Sequence, residues 1–283
     1  MKTILITGSN GMLGSHLSKI NLYNYNIITL PKNDIRNSLD VTNSNDVKEC
    51  LDNFKPDFII NCAAYTDVNQ SEINKELAYI VNVKGLVNLV KFSNVKTKII
   101  HISSDYVFDG MKGDYTENDI TRPINYYGKT KLESENFLIG SNRKFIIFRP
   151  NVIFDFNGNN FFTFVFNSLK NNQKINIVTD QISNPTFAQH FSKVIIDSII
   201  LDIDGVFHFG SFDIVSRYDF AVKIAETFNL NSSLIKPISS NLLNQRAKRP
   251  LNTSLNCNKI VNNFDIEIMP LSYYLESNRN FYE

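Results

Sequence analysis

Tyr127, Lys131 and Ser104 are the side chains best placed by type and spacing to move a proton. Tyr127-Gly-Lys-Thr-Lys131 sets a phenol and an ammonium four residues apart, which brings them to one face if the segment behind Pro123 is helical. It is the only Tyr-x-x-x-Lys pair in the chain, and it begins 23 residues beyond Ser104. A free phenol with a pKa of about 10 rarely ionises at neutral pH, but a neighbouring ammonium favours the phenolate and moves the group toward usable acid–base range. A serine hydroxyl beside it can hold a substrate oxygen while charge develops there.

A second constellation suits phosphate. Gly8-Ser-Asn-Gly11-Met-Leu-Gly14 follows an apolar run directly and opens a helical pattern. The first glycine permits the tight turn, the second lets backbone approach a pyrophosphate, and the third lets helix and strand pack closely. The phosphate would meet unpaired N–H groups and the positive end of the helix. The spacing is G-x-x-G-x-x-G rather than G-x-G-x-x-G. Dinucleotide choice is expected after the second strand, where Leu30-Pro31-Lys32 leads to Asp34 and Arg36. Lys32 or Arg36 could take a 2′-phosphate and no carboxylate is expected where it would repel one, so the pattern favours NADPH, with NADH as the alternative.

These residues need a frame. Thr3–Thr7, Asn26–Leu30, Asp57–Asn61, Lys98–Ile102 and Lys144–Phe148 are five-residue apolar runs without alternation, as strands buried on both faces of a parallel sheet require. Helical patterns lie between them at Leu13–Ile20, Asn45–Phe54, Glu76–Phe92 and Asn125–Leu138. Strand alternating with helix predicts a doubly wound α/β (Rossmann) sheet with right-handed crossovers, a cofactor-binding domain over 1–150. After Arg149-Pro150 the cadence breaks: a loop rich in Asn and Phe (154–162) precedes a helix, then Ile175–Val178, Val206–Phe209 and shorter helical stretches. This half, 151–283, is expected to be a smaller α/β lobe that carries substrate and shares a core with the first. The cleft between them should open at the carboxyl ends of the strands.

Composition narrows the partner. The 283 residues carry 29 basic and 28 acidic side chains, a net charge of +1, with no basic block, so neither nucleic acid nor an anionic membrane is an expected partner. Cys50, Cys62 and Cys257 contain no C-x-x-C pair and suggest neither a disulfide framework nor a metal site. The first apolar run is too short for a signal sequence or a membrane span, and a reducing, cytoplasmic setting is expected.

The ordered blocks resemble the extended short-chain dehydrogenase/reductases, and within them the dTDP-4-dehydrorhamnose reductase-like group. They are Thr7–Gly14, Leu39–Thr42, Pro56–Thr66, Val81-Asn82, His101–Gly110, Tyr127–Lys131, Asp180–Thr186 and Arg246–Pro250. The resemblance implies a 4-keto reductase of a nucleotide-linked 6-deoxy-4-ketohexose, working in deoxysugar biosynthesis. Tyr127 would protonate the carbonyl oxygen, Lys131 would hold the nicotinamide ribose and lower the tyrosine pKa, and Ser104 would stand where the family has Thr or Ser. Gly8, Asn10, Gly11, Met12, Leu13 and Gly14 would bind pyrophosphate. Lys32 would serve the 2′-phosphate, Asp40 and Val41 the adenine, and Cys62, Ala63, Ala64 and Tyr65 the ribose and nicotinamide path. Ser104, Asp105, Tyr106, Val152, Asn160, Arg246 and Arg249 would face the sugar nucleotide, the arginines its diphosphate. A homodimer is implied as well.

Two positions depart from that group. Pro150-Asn-Val152-Ile-Phe154 stands where many members carry Thr-Ser-Trp-Val-Tyr, so Val152 replaces the tryptophan that covers the sugar. His190 takes a place where an acidic residue is common. Two alternatives follow: a bifunctional 3-epimerase/4-reductase on a UDP- or GDP-linked sugar, using Asp105 with a residue such as His190, and a non-catalytic NADP-binding regulatory subunit.

Overall fold

The computed structural model describes residues 1–32 and 38–281. Six strands, β1 (Lys2–Thr7), β2 (Tyr25–Leu30), β3 (Phe58–Asn61), β4 (Lys98–Ile102), β5 (Phe145–Pro150) and β6 (Gly205–Phe209), form one parallel sheet in the order β6-β5-β4-β3-β1-β2. The five apolar runs are its first five strands. The sixth comes from the less regular half, so that half completes the sheet as well as building a lobe of its own.

Residue alternation within the strands supplies both faces. Ile4, Ile6, Ile60, Ile100, Ile146 and Phe148 pack on one side against helix α1 (Met12–Leu17) and the longer Ala188–Ile200 helix, with Phe264 from the short helix Asn258–Phe264. Leu5, Ile59, Ile99 and Ile147 pack on the other against α2 (Ser44–Phe54), α3 (Gly85–Phe92) and α4 (Tyr126–Ile139). Each such fully buried side chain contributes about 1.5–3 kcal/mol relative to exposure. Asn43, Asn125 and Asn160 cap their helices through side-chain oxygens, which explains the helix starts.

The expected single helix over Glu76–Phe92 is interrupted. Lys75–Tyr79 and α3 are α-helical, but Ile80–Lys84 between them is a π turn. The extra residue turns Asn82 inward, where it is buried.

The second lobe has its own core. Phe154, Phe156, Phe162, Phe166 and Phe220 pack with Ile175, Ile224, Ile235, Tyr274 and Leu275. Phe156 and Phe162 meet edge-to-face with centroids 4.6 Å apart. This core joins α5 (Phe161–Lys170) to α7 (Arg217–Thr227), with α6 being the Ala188–Ile200 helix of the sheet layer. Three short two-stranded pairings edge it.

Candidate active site

The carboxyl ends of β1, β3, β4 and β5 converge on one cleft of about 570 Å³, floored by the glycine turn and roofed by the second lobe. Gly8, Gly11, Met12, Leu13 and Gly14 line one end. Gly8 sits at φ +63°, and a Cβ there would come within 2.8 Å of the Ala63 backbone nitrogen. A Cβ on Gly14 would lie 2.8 Å from Ser9 Cα. Both side chains are excluded by neighbouring backbone, which leaves the start of α1 open for a pyrophosphate to approach. The turn therefore fits the phosphate-binding role its sequence suggested. Asn10 is exposed in the turn.

Cys62 and Ala64 line the middle of the cleft. Burial pushes the Cys62 thiol up to about 12, so it is an apolar wall rather than a nucleophile. Ala63 lies beside Gly8, its N–H directed at Thr7 Oγ1 at 3.4 Å. Asn82 holds the next step of backbone: its Oδ1 accepts from Tyr65 N at 2.7 Å, and its Nδ2 donates to Tyr65 O at 3.2 Å and to Thr130 Oγ1 at 2.9 Å. It thus ties the loop after β3 to α4, one residue from Lys131. Only the Val81-Asn82 block drew attention to it in the sequence; the π turn that aims it was not legible there.

At the adenine end, Lys32 is not a free cation. Asp40 Oδ2 lies 3.3 Å from its Nζ, because the chain folds back after β2 with Leu39 N bonded to Pro31 O at 2.9 Å. The expectation that no carboxylate stands there is corrected. Asp40 is also held by Thr42 N and Oγ1 at 2.9 and 2.7 Å. Val41 turns its side chain into the core against Gly85. Asp34 and Arg36 lie outside the described residues.

Ser104, Asp105, Tyr106, Tyr127 and Lys131 come together at the centre of the cleft. Tyr127 and Lys131 share the inner face of α4, both buried. The Lys131 ammonium donates to Ile102 O at 2.9 Å and lies 5.9 Å from the Tyr127 ring centroid. Burial brings it down to about 8, against the opposing influence of Cys62 and Glu135. Burial also drives the Tyr127 phenol well above its ordinary range, while its hydrogen bond with Ser104 pulls the other way and Asp105 adds to the rise. The expected lowering of the phenol by Lys131 is therefore not realised: desolvation outweighs it. The consequence suits reduction, because a proton donor must arrive protonated.

Asp105 is equally buried. It accepts from Thr253 Oγ1 at 2.6 Å and Ser104 Oγ at 3.0 Å, and burial raises its carboxyl to about 6 despite those bonds. Tyr106 meets the Tyr127 ring edge-on at 5.9 Å. Val152 lines the opposite wall beside Asn160, whose side chain caps α5 by accepting from Phe162 N and Thr163 N at 3.0 and 3.4 Å.

Behind the centre lies a charged pair that the sequence did not reveal. Arg149 on β5 grips Glu135 with Nε at 3.0 Å and Nη2 at 2.6 Å, and Ser103 donates to the same carboxylate. Both charges are buried, and a bidentate pair with a hydroxyl donor is the arrangement that offsets their desolvation. It fixes β4, β5 and α4 next to Ser104 and Lys131. Glu135 follows Lys131 by four residues, which is the only hint the sequence offers.

Neither arginine of the 246–250 segment is among the residues lining the cavity: Arg246 is exposed, and Arg249 is half-buried with its guanidinium 6.0 Å from the Tyr106 ring centroid. Arg217, absent from the sequence reading, lines the cleft at the first residue of α7, 4.8 Å from the Phe161 ring centroid. His190 does not line it: its Nδ1 lies 2.5 Å from Tyr274 Oη, with Phe209 edge-on at 5.4 Å. The pairing of His190 with Asp105 across a substrate carbon is thereby excluded. Among the described residues no cluster of His, Cys, Asp or Glu could hold a metal, and no helix is long and apolar enough to cross a membrane.

Residues 1–279 match the family model described as the RmlD substrate binding domain. The chain is 38% identical over 282 residues to the dTDP-4-dehydrorhamnose reductase of Aggregatibacter actinomycetemcomitans, covering 94% of this chain and 95% of that one. It is 32% identical over 276 residues to the methionine adenosyltransferase 2 subunit beta of Bos taurus, covering 92% and 81%. Among solved structures, a dTDP-4-dehydrorhamnose reductase from Bacillus anthracis in complex with NADP superposes with a TM-score of 0.92 at 31% identity, each chain covered completely. With a family match from the first residue to 279 and the doubly wound cleft that such relatives share, the chain belongs to the RmlD family of extended short-chain dehydrogenase/reductases.

Proposed function

We propose that this protein is an NADPH-dependent 4-keto reductase of a nucleotide-linked 6-deoxy-4-ketohexose, a dTDP-4-dehydrorhamnose reductase-like enzyme of deoxysugar biosynthesis. The observation that carries the reading is the convergence of a protonated, buried Tyr127 with Ser104 and Lys131 at the end of a cleft that begins in a glycine turn. The relatives named above supply the substrate class and, through the NADP complex, the cofactor. NADH is the alternative cofactor, given that Asp40 offsets part of the Lys32 charge.

The dinucleotide supplies the hydride when bound, and the residues that fit it are Gly8, Gly11, Met12, Leu13 and Gly14 for its pyrophosphate, with Cys62, Ala63, Ala64 and Tyr65 along its path. Tyr127 Oη gives its proton to the sugar carbonyl oxygen. Ser104 Oγ, whose hydroxyl now donates to Asp105 Oδ1 at 3.0 Å, turns that hydrogen to hold the sugar oxygen in place and supports the phenolate that remains. Lys131 stabilises the same phenolate by its charge and reaches the ribose by leaving Ile102 O. Asp105, Tyr106, Val152 and Asn160 form the sugar wall. Residues 1–150 then serve mainly the cofactor and 151–283 mainly the substrate. A homodimer and a cytoplasmic location complete the proposal, the latter supported by three free cysteines.

The test is NADPH oxidation, followed at 340 nm, with a panel of dTDP-, UDP- and GDP-linked 4-keto-6-deoxyhexoses. Turnover with at least one is expected. Binding of NADPH without oxidation across the panel would favour the regulatory-subunit reading instead. Deuterium wash-in at sugar C3 from heavy water without NADPH would establish the epimerase alternative.

A further inference from the structure

A row of polar side chains runs beneath the cleft, from the glycine turn to the helix that carries Lys131. Thr7 ends β1, Asn61 ends β3 and His101 is next to last in β4, and the parallel register sets the three side by side. Ser134 on α4 continues the row, and all four side chains are buried. Ala63 N lies 3.4 Å from Thr7 Oγ1, which lies 2.8 Å from Asn61 Oδ1. Asn61 Nδ2 is 3.2 Å from His101 Nδ1, and His101 Nε2 is 2.9 Å from Ser134 Oγ. Ser134 Oγ in turn lies 2.7 Å from Lys131 O.

The two ends of the row fix the direction of every bond in it. Ala63 N can only donate, and Lys131 O can only accept. Ser134 gives its one hydrogen to Lys131 O and so receives from His101 Nε2–H. Nδ1 then carries no hydrogen and accepts from Asn61 Nδ2, while Asn61 Oδ1 accepts from Thr7. Reversing the row would leave the Thr7 O–H without an acceptor, because Asn61 and Ala63 N are its partners among the described residues. A buried donor left in that state costs stability. The row therefore requires a neutral imidazole with its hydrogen on Nε2. Burial, with the Lys131 charge nearby, holds the ring well below its ordinary range and keeps it neutral.

Hydrogen bonds that all run one way polarise one another, so the row is stiffest when complete. Each end bears on the cleft. At one end Thr7 and Ala63 adjoin Gly8, where a Cβ would lie 2.8 Å from Ala63 N. At the other, β4 holds Lys131 twice: its backbone through His101 and Ser134, and its ammonium through Ile102 O at 2.9 Å. The neighbours of His101 in β4 are isoleucines, so a buried strand position is filled here by a side chain that offers one donor and one acceptor.

We propose that His101, as its neutral Nε2–H tautomer, is a positioning residue that sets the spacing between the floor of the cofactor path and Lys131. This rests on the reductase reading above. The sugar wall comes from other elements, so breaking the row should slow turnover and weaken NADPH while the KM for the sugar nucleotide stays close to wild type.

The experiment is NMR of the protein labelled at the ring nitrogens of its four histidines, with NADPH affinity and kcat measured on the same variants. His101→Gln assigns the His101 signals by their loss. In the wild type the hydrogen is expected on Nε2, with Nδ1 bare. Asn61→Asp replaces the amide donor with a carboxylate and should place a hydrogen on Nδ1. His101→Phe keeps a ring but neither nitrogen, and kcat should fall about 10- to 100-fold, as misplacement of a reacting group does. His101→Gln, which offers an N–H toward Ser134 and an oxygen toward Asn61, should recover part of that loss. A hydrogen on Nδ1 in the wild type would overturn the proposal. So would Phe and Gln variants of equal kcat and NADPH affinity, or a loss confined to the sugar KM. Should His101→Phe not fold, the wild-type tautomer and the Asn61→Asp variant decide alone. If the wild type reduces no ketone, the reductase reading falls, and the tautomer and the NADPH affinities still test the row.

Discussion

The two lobes bury their cores by different rules. Around the sheet, the strands supply mainly Ile, Leu or Val to both faces, β6 adding Phe207 and Phe209, and neighbours in space are mostly consecutive strands and their crossovers. In the second lobe the core is a cluster of phenylalanines drawn from 154–166, 187, 220 and 228, with Tyr274 closing it from the end of the chain. Periodic aliphatic packing can be read from a local window; aromatic packing between distant segments cannot. The difference also divides the cleft lining: the sheet side holds the glycine turn, Ser104, Tyr127 and Lys131, while the other side contributes Val152, Asn160 and Arg217.

The largest break in this division should come from one atom. Tyr127→Phe removes the proton donor while keeping the ring against Tyr106, and turnover should fall by about 10²–10⁴ with melting temperature and NADPH binding preserved. Loss of folding alongside activity would mean that the hydroxyl is chiefly structural.

In the second lobe the corresponding break is in packing. Phe162→Ala removes a fully buried ring from the cluster and should cost about 3–5 kcal/mol in urea denaturation. A loss below about 1 kcal/mol would show that the aromatic cluster does not carry the stability of its lobe.

Lys131 sharpens the contrast, since there stability and chemistry oppose each other. Its folded pKa, about 8, lies below the ordinary 10.5, so the unfolded state binds the extra proton between those values. Stability rises through that window, and below about pH 8 the buried ammonium imposes its full cost. Lys131→Met should abolish turnover and raise stability at pH 7 by about 1–3 kcal/mol. Unchanged or lower stability would contradict the cost assigned to burial.

His208, on β6 behind Arg149, marks the acid limit of the sheet side. Burial holds it down to about 3, so it remains neutral in the fold while the unfolded chain protonates near 6.5. Stability should therefore decline as pH falls from 6.5 toward 3, and His208→Gln should flatten that decline. Smaller still is the effect at Asp105, whose carboxyl titrates near 6: Asp105→Asn should remove an inflection near pH 6 from kcat/KM.

Much of the fold and of the site centre is legible in the sequence. Thr3–Thr7 and Lys98–Ile102 announce buried strands, and the 23-residue step from Ser104 to Tyr127 is the span from the end of β4 to the first turn of α4. What was not legible depends on geometry without a local period. Val206–Phe209 joins the sheet only because α6 returns the chain to it, and Asn82 turns inward only through a π turn. Arg217 needs the second lobe folded before it reaches the cleft, and the Lys32–Asp40 pair needs a backbone reversal.

The most direct test of the central claim is the fate of deuterium. With NADPH deuterated at nicotinamide C4 and a 4-keto-6-deoxy sugar nucleotide, the account predicts one deuterium at sugar C4 in each product molecule of the wild-type protein, and formation of that labelled product about 10²–10⁴ times more slowly with Tyr127→Phe. A product with deuterium elsewhere on the sugar, or equally fast transfer by the Phe variant, would contradict it.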